Sequence, residues 1–365
     1  MDMVGNRASK RSAHIDGYPQ RLGGHCGSGA MRDLLTWAGL DWGRPLSEGM
    51  VFGLGGSLAF TYLRVPGLSP PIYLVGRDAD FEAHVCARLS VETSRNQTDD
   101  PDLAWRWLTD ELDLGHPVML NADIAFLPYL RVQLSNTRHD IVAIGYDEQA
   151  GTVTVVDNDR VEPQLIGVED LDRARSSTGF PDPVRYATWP MRFPDELPDL
   201  ASAATSAATV AARQMREGAG QLFDPIALPP AMVTGSGLPG LETFATDLGS
   251  WPAVMEDEAL SQCRRALSVF IEKAGTGGGL FRRLQAEFCA DVAGLLESEA
   301  FAEAGRAWEA AAEGWSALAA ACVDESVATH ELEDHAWELG QLERAACAAM
   351  EMAARLPSQG DRVEG

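Results

Sequence analysis

Lysine is almost absent from this sequence. Lys10 and Lys273 are the only two, and the remaining basic residues are arginines. The chain of 365 residues has 29 Lys+Arg against 54 Asp+Glu, so its net charge is 29 − 54 = −25. That shortage of positive charge excludes a general nucleic-acid binder, whose affinity comes from clustered basic residues on phosphates. Long apolar runs are also missing. Nothing approaches the ~20 consecutive apolar residues of a membrane-spanning helix. The opening segment MDMVGNRASKRSAHIDGYPQ has basic residues but no apolar core behind them, unlike a secretory signal. The six cysteines (Cys26, Cys86, Cys263, Cys289, Cys322 and Cys347) form no CxxC pair, so neither a structural zinc site nor any other metal site is expected. Reduced thiols and a cytoplasmic location are the expectation.

What is present divides into two textures. Up to about residue 190 the chain is mixed. A helix is expected from Cys26 to about Ala38, stopped by Gly39, and a Gly-rich loop over Gly49–Phe60. Strands are expected at Pro70–Val75, Val118–Ala122, Asp140–Tyr146 and Thr152–Val156. Helices are expected at Phe81–Val91 and Pro101–Leu114, the second with Asp100 or Asp102 near its N-cap. The last two strands are joined by Asp147-Glu148-Gln149-Ala150-Gly151, a hairpin turn. This order of a helix followed by mostly antiparallel strands is an α+β layout. A proline-rich stretch over 180–200 reads as a boundary or a strap. Beyond it helices are expected at Ala201–Glu217, Ala259–Lys273, Leu280–Leu296, Ala300–Cys322 and Glu325–Leu356, with a loop over Asp224–Gly240 and a frayed tail after Leu356. In the fourth of these helices Phe301, Ala304, Trp308, Ala311, Ala312, Trp315 and Leu318 recur at helical spacing, the face of a bundle core. Two domains follow: 12–195, α+β, and 200–357, all helical.

The strongest local pattern is Gly23-Gly24-His25-Cys26-Gly27-Ser28-Gly29, a cysteine where a Gly-rich loop meets the first turn of a helix. Unpaired backbone N–H groups and the helix dipole stabilise a thiolate there. A cysteine nucleophile needs a base, and the base needs an orienting group. His139 stands at the start of one hairpin strand and Asp157 at the end of its partner, so the two lie at the same end of the antiparallel pair. Cys26, His139 and Asp157 are therefore the candidate catalytic residues.

That chain order resembles the papain-like cysteine enzymes, and most closely the C39-type peptidase fold. A narrower resemblance rests on His25-Cys26-Gly27-Ser28, Leu46-Ser47-Glu48, Phe52-Gly53-Leu54-Gly55-Gly56, Pro117-Val118 with Asp123, Leu127-Pro128-Tyr129, and His139 with Gly145-Tyr146-Asp147. In that order they resemble the butirosin biosynthesis protein H family. The helical half, through Leu280–Val292 and Ala310–Leu318, resembles the domain that often follows. The resemblance implies an acyltransferase that moves an acyl group, aminoacyl in that family, from a carrier-protein thioester through an acyl-cysteine to an amine of a small natural product such as an aminoglycoside. No cofactor is implied beyond the phosphopantetheine arm of the carrier protein. The partners implied are that acyl carrier protein and a cationic acceptor, with a homodimer open.

Around this core, Gln20 is a candidate oxyanion donor, six residues before the cysteine. His25 serves binding or shapes the loop. Glu48 and Asp123 either meet a substrate ammonium or tie down loops, and Gly27 and Tyr129 enter through the family motifs. Arg7, Lys10, Arg11 and Arg21 are candidates for a basic patch facing an acidic carrier. Two other classes stay open: a cysteine hydrolase, peptidase or amide-forming cyclase on the same triad, and a partner-binding scaffold with a vestigial triad.

Overall fold

The computed structural model describes residues 11–67, 69–132, 134–218 and 232–355. Arg7, Lys10, the start of the expected loop at 224–240 and the tail lie outside the described residues. In chain order the elements begin with β1 (Ser12–His14), α1 (Cys26–Trp37), α2 (Glu48–Gly55), β2 (Leu58–Arg64), β3 (Ile72–Arg77), α3 (Phe81–Arg88) and β4 (Glu92–Thr93). Next come α4 (Pro101–Asp113), β5 (Val118–Ala122), β6 (His139–Asp147), β7 (Thr152–Val156), β8 (Gln164–Gly167), α5 (Val168–Ser176), β9 (Thr188–Trp189) and β10 (Met191–Arg192). The remainder is α6 (Leu200–Glu217), β11 (Val233–Ser236), α7 (Gly237–Val254), α8 (Asp257–Glu272), α9 (Arg282–Leu296), α10 (Glu299–Val323) and α11 (Thr329–Ala353). Among the described residues no helix is long and apolar enough to cross a membrane.

Two compact units form, each from two stretches of chain. Among the described residues, one joins the chain up to Leu40 to Val91–Pro194, and the other joins Asp41–Ser90 to the chain from Asp195 on. A split in chain order near residue 195 therefore misplaces Asp41–Ser90.

The first unit is α+β. Its sheet runs β8-β7-β6-β5-β9, all antiparallel, and β1 extends the β5 edge by pairing with the far end of β6. The turn between β6 and β7 is closed by Asp147, whose carboxylate accepts from the N–H groups of Gln149 and Ala150 at 2.7 and 2.9 Å. Gly151 supplies the positive φ of +68° that this turn needs. A bulge between Ala143 and Gly145 shifts the register of β6 against β7. The proline-rich stretch is a strap: β9 pairs with β5, and β10 pairs with β4. The helix α4 starts as expected, with Asp100 accepting from the N–H groups of Asp102 and Leu103.

The second unit is mainly helical. The Gly-rich segment expected as a loop is instead the helix α2 followed by β2. Ser47 caps α2 by accepting from the Met50 N–H at 2.8 Å. Its glycines serve close approach: a Cβ on Gly53 would lie 2.0 Å from Phe288 of α9. The strand β2 pairs with β3 on one side and β11 on the other, so Asp41–Ser90 is committed to this unit by backbone bonds and by packing. Residues 233–254, part of which was expected as loop, are β11 and α7. The expected core face of α10 is fully buried from Phe301 to Leu318, and 275–279 links α8 to α9.

At the centre of this unit lies a buried ion pair. Arg282 Nε donates to Glu343 Oε1 at 2.6 Å, and Trp315 Nε1 donates to the same oxygen at 2.6 Å. The guanidinium also donates to the carbonyls of Leu280 and Ala59 at 2.8 and 3.1 Å. Removing one member leaves the other charge buried and uncompensated, a loss of about 3–5 kcal/mol. Glu343→Leu should lower the unfolding free energy, from denaturant titration followed by tryptophan fluorescence, by that margin. The double variant Arg282→Met/Glu343→Leu should recover much of it, because no lone charge remains.

Candidate active site

Cys26 opens α1 and is partly exposed, while the other five cysteines are buried. His25 precedes it with extended backbone, φ −133° and ψ 128°, and caps the helix: its Nδ1 accepts from the Ser28 N–H at 3.2 Å. The ring is only 2% exposed. Of the two roles expected for His25, shaping the loop is the one this geometry fits. Because the cap sits on the third helical residue, Cys26 and Gly27 bring their N–H groups to the helix end, where the dipole favours negative charge.

His139 is the first residue of β6. Its Nε2 lies 2.7 Å from Asp157 Oδ2, and the Cys26 thiol is another hydrogen-bond partner of the ring. With Nε2 turned to Asp157, Nδ1 is the ring atom available to Cys26. Asp157 follows the last residue of β7, and the pairing of Val156 with Val142 brings it to the His139 end of the hairpin. Its Oδ2 also accepts from Tyr129 Oη at 2.9 Å, and its Oδ1 accepts from the Asp159 N–H at 3.1 Å. Burial pushes the His139 pKa down, but the charge and hydrogen bond of Asp157, together with Cys26, outweigh it and hold the ring well above the ordinary histidine value. Burial pushes Asp157 up, but the His139 charge and the hydrogen bonds it accepts hold it below the ordinary carboxylate value.

The loop before α1 is laced to the chain just after β7. Asn158 Nδ2 donates to the Arg21 carbonyl at 3.0 Å, and the Gly23 N–H donates to the Asn158 carbonyl at 3.0 Å. Gly29 is required here, since a Cβ would fall 2.5 Å from the Asn158 side chain. Gln20 Nε2 donates to the carbonyls of Arg160 and Asp157 at 2.6 and 3.4 Å. Its amide is thereby committed to holding the Asp157 loop, not to an oxyanion. Asn158 belonged to no sequence motif, and only the fold sets it against Gly29.

Two other candidates are engaged with neighbouring residues. Tyr129 is spent on Asp157, and its ring lies under the Arg160 guanidinium at 5.9 Å. Asp123 accepts from Ser135 Oγ, Ser177 Oγ and the N–H groups of Ala125 and Asn136 at 2.6–3.1 Å, so it ties loops together. Glu48 opens α2 in the second unit, directly after its Ser47 cap. The described members of the expected basic patch are engaged with acids: Arg11 with Asp113 at 2.9 Å and Arg21 with Asp33 at 3.3 Å. Conversely, Asp140 escaped the sequence reading: its Oδ2 lies 3.7 Å from Cys26 Sγ. Among the described residues no group of three or more His, Cys, Asp and Glu side chains is placed to hold a metal ion.

The pair of shifts fixes a pH window. The raised His139 pKa contributes stability fully below about pH 6.5, the unfolded histidine value, and this is lost as pH rises through the folded value. The lowered Asp157 pKa contributes stability above its ordinary value of 3.8, lost as pH falls through the folded value. The His139 ring followed by NMR should therefore titrate above pH 6.5, and Asp157→Asn should move that midpoint down by about one unit or more. A midpoint that does not move would contradict the assigned cause.

Comparison with known proteins agrees with this architecture. The family model for the N-terminal region of butirosin biosynthesis protein H matches residues 25–158, which span Cys26, His139 and Asp157. A second model, a domain of unknown function (DUF4872), matches residues 169–351, half of the chain. No curated protein matches the sequence. With both models matched in this order, the chain belongs to the butirosin biosynthesis protein H-like family.

Proposed function

We propose that this protein is a cysteine-dependent acyltransferase that takes an acyl group from a carrier-protein thioester and passes it to an amine of a small natural product. The observation that supports this most is the row Cys26, His139 and Asp157 within one unit, with Asp157 on Nε2 of His139 and the thiol as the ring's other partner. The family match supports a role linked to butirosin-type biosynthesis.

In the first step the proton of Cys26 passes to His139, and the thiolate attacks the thioester carbonyl carbon. The tetrahedral oxyanion needs donors, for which the Cys26 backbone N–H at the start of α1 is the candidate. The C–S bond to the carrier breaks, the carrier thiol leaves with the proton held by His139, and acyl-Cys26 remains. A thioester becomes another thioester, so the exchange is nearly neutral in energy. The acceptor amine then attacks acyl-Cys26 and gives its proton to His139. The amide forms as the Cys26 sulfur leaves, and the sulfur recovers the proton. Asp157 holds the imidazole orientation and stabilises the imidazolium of each half-reaction. The charge of −25 favours approach of a cationic acceptor, an attraction that salt weakens.

Cys26→Ala should abolish transfer from acyl-thioesters to amines and the acyl-enzyme adduct seen by intact mass. Asp157→Asn should lower turnover by about 10²–10⁴-fold, as loss of a triad orienting group does elsewhere. Undiminished transfer by Cys26→Ala would refute the mechanism. An adduct that partitions to water in the presence of excess amine would instead assign the site to hydrolysis.

A further inference from the structure

One oxygen of Asp157 serves two donors. The residue is 1% exposed, and its Oδ2 accepts from His139 Nε2 at 2.7 Å and from Tyr129 Oη at 2.9 Å. A hydrogen bond to a carboxylate stabilises its charge, so the oxygen has less to offer a neighbouring imidazolium. The phenol is held in this place. The Tyr129 carbonyl accepts from Arg160 Nη2 at 2.6 Å, and the Arg160 guanidinium lies 5.9 Å from the ring centroid. The Arg160 N–H in turn donates to the Asp157 carbonyl at 2.9 Å. The loop of Tyr129 and the loop of Asp157 are thus clamped together, with the phenol aimed at the oxygen that orients the base. Burial, and then the charge of Asp157, hold the phenol well above its ordinary pKa, so it stays a neutral donor. The titratable and charged groups around the row are Cys26, with Asp140 3.7 Å from its sulfur, on one side, and Asp157, Asp159 and Arg160 on the other.

The proton gives this arrangement a purpose. In each half-reaction His139 takes a proton and then returns it to a departing sulfur. A base that is held too firmly in its protonated form returns the proton slowly. We propose that Tyr129 is a positioning residue that acts on His139 through Asp157: it holds part of the carboxylate's charge, loosens the grip of Asp157 on the imidazolium, and so lets the proton return to sulfur. This rests on the acyl transfer through Cys26 and His139 proposed above.

The test uses the full-length protein. Tyr129→Phe removes the phenol oxygen and leaves the ring and the backbone bond to Arg160. The His139 midpoint followed by NMR should rise by about half a unit or more, because Asp157 then turns its whole charge to the ring. A phenol that only held Asp157 in place would give the opposite sign, the fall expected of Asp157→Asn. Tyr186→Phe removes a phenol that donates to Asp172 at 2.7 Å in the same unit, and should leave the midpoint where it is. In the transfer assay Tyr129→Phe should lower kcat by about threefold or more, with KM for the donor unchanged. A midpoint that stays or falls in Tyr129→Phe, an equal rise in Tyr186→Phe, or an unchanged kcat would overturn the proposal. The titration needs no acyl donor. Transfer that survives Cys26→Ala would therefore sink the acyltransferase reading, whereas a midpoint that does not rise would sink the role of Tyr129 alone.

Discussion

The 2.7 Å contact between His139 Nε2 and Asp157 Oδ2 is the interaction around which the first unit is arranged. Each partner is costly to bury alone, and together they set each other's charge. Because Nε2 is held by Asp157, the ring presents Nδ1 toward the start of α1. The hairpin of β6 and β7 supplies the contact, and three side chains then fix the Asp157 end of it. Tyr129 donates to the carboxylate, Gln20 holds the backbone carbonyls of the same loop, and Asn158 ties that loop to the segment leading into Cys26. Nucleophile and base are thus brought to one place by bonds between the chain just before α1 and the chain just after β7.

The second unit depends on a buried charge of a different kind. Arg282 and Glu343 are fully buried; Trp315 also donates to Glu343 Oε1, and the carbonyls of Leu280 and Ala59 accept from Arg282. Breaking such a pair from one side is costly, because the other charge stays buried and uncompensated. The pair gathers α9, α10, α11 and β2 at one point, which is why Asp41–Ser90 belongs with the helices that follow residue 195.

Legibility differed by the kind of information. The hairpin with His139 and Asp157 at one end could be read, because alternation and a turn signal fix which residues share an end. The start of α1 at Cys26 could also be read from the glycines and the helical periodicity. Gln20, Tyr129 and Asp123 were marked as polar residues near the site, but a residue type does not say where its side chain points. In the fold all three hold loops or the Asp157 carboxylate. Asp140 was passed over for a related reason: strand alternation assigns neighbours to opposite faces, yet α1 begins where the sulfur meets both His139 and Asp140. The glycines of α2 read as loop because glycine disfavours helices locally. Close packing against α9 overrides that preference.

The sequence by itself determined the charge balance, the helix starting at Cys26, the hairpin of β6 and β7 with His139 and Asp157 at one end, and the apolar face of α10. These follow from local patterns: periodicity, turn chemistry and a cysteine at a helix start. Only the tertiary structure decided that Asp41–Ser90 packs with the second unit, that Gln20 and Tyr129 serve Asp157, and that Asp140 reaches the sulfur. Each of those depends on residues 20 to 240 positions apart meeting in space. Such meetings are governed by strand pairing and side-chain packing, which no local pattern specifies.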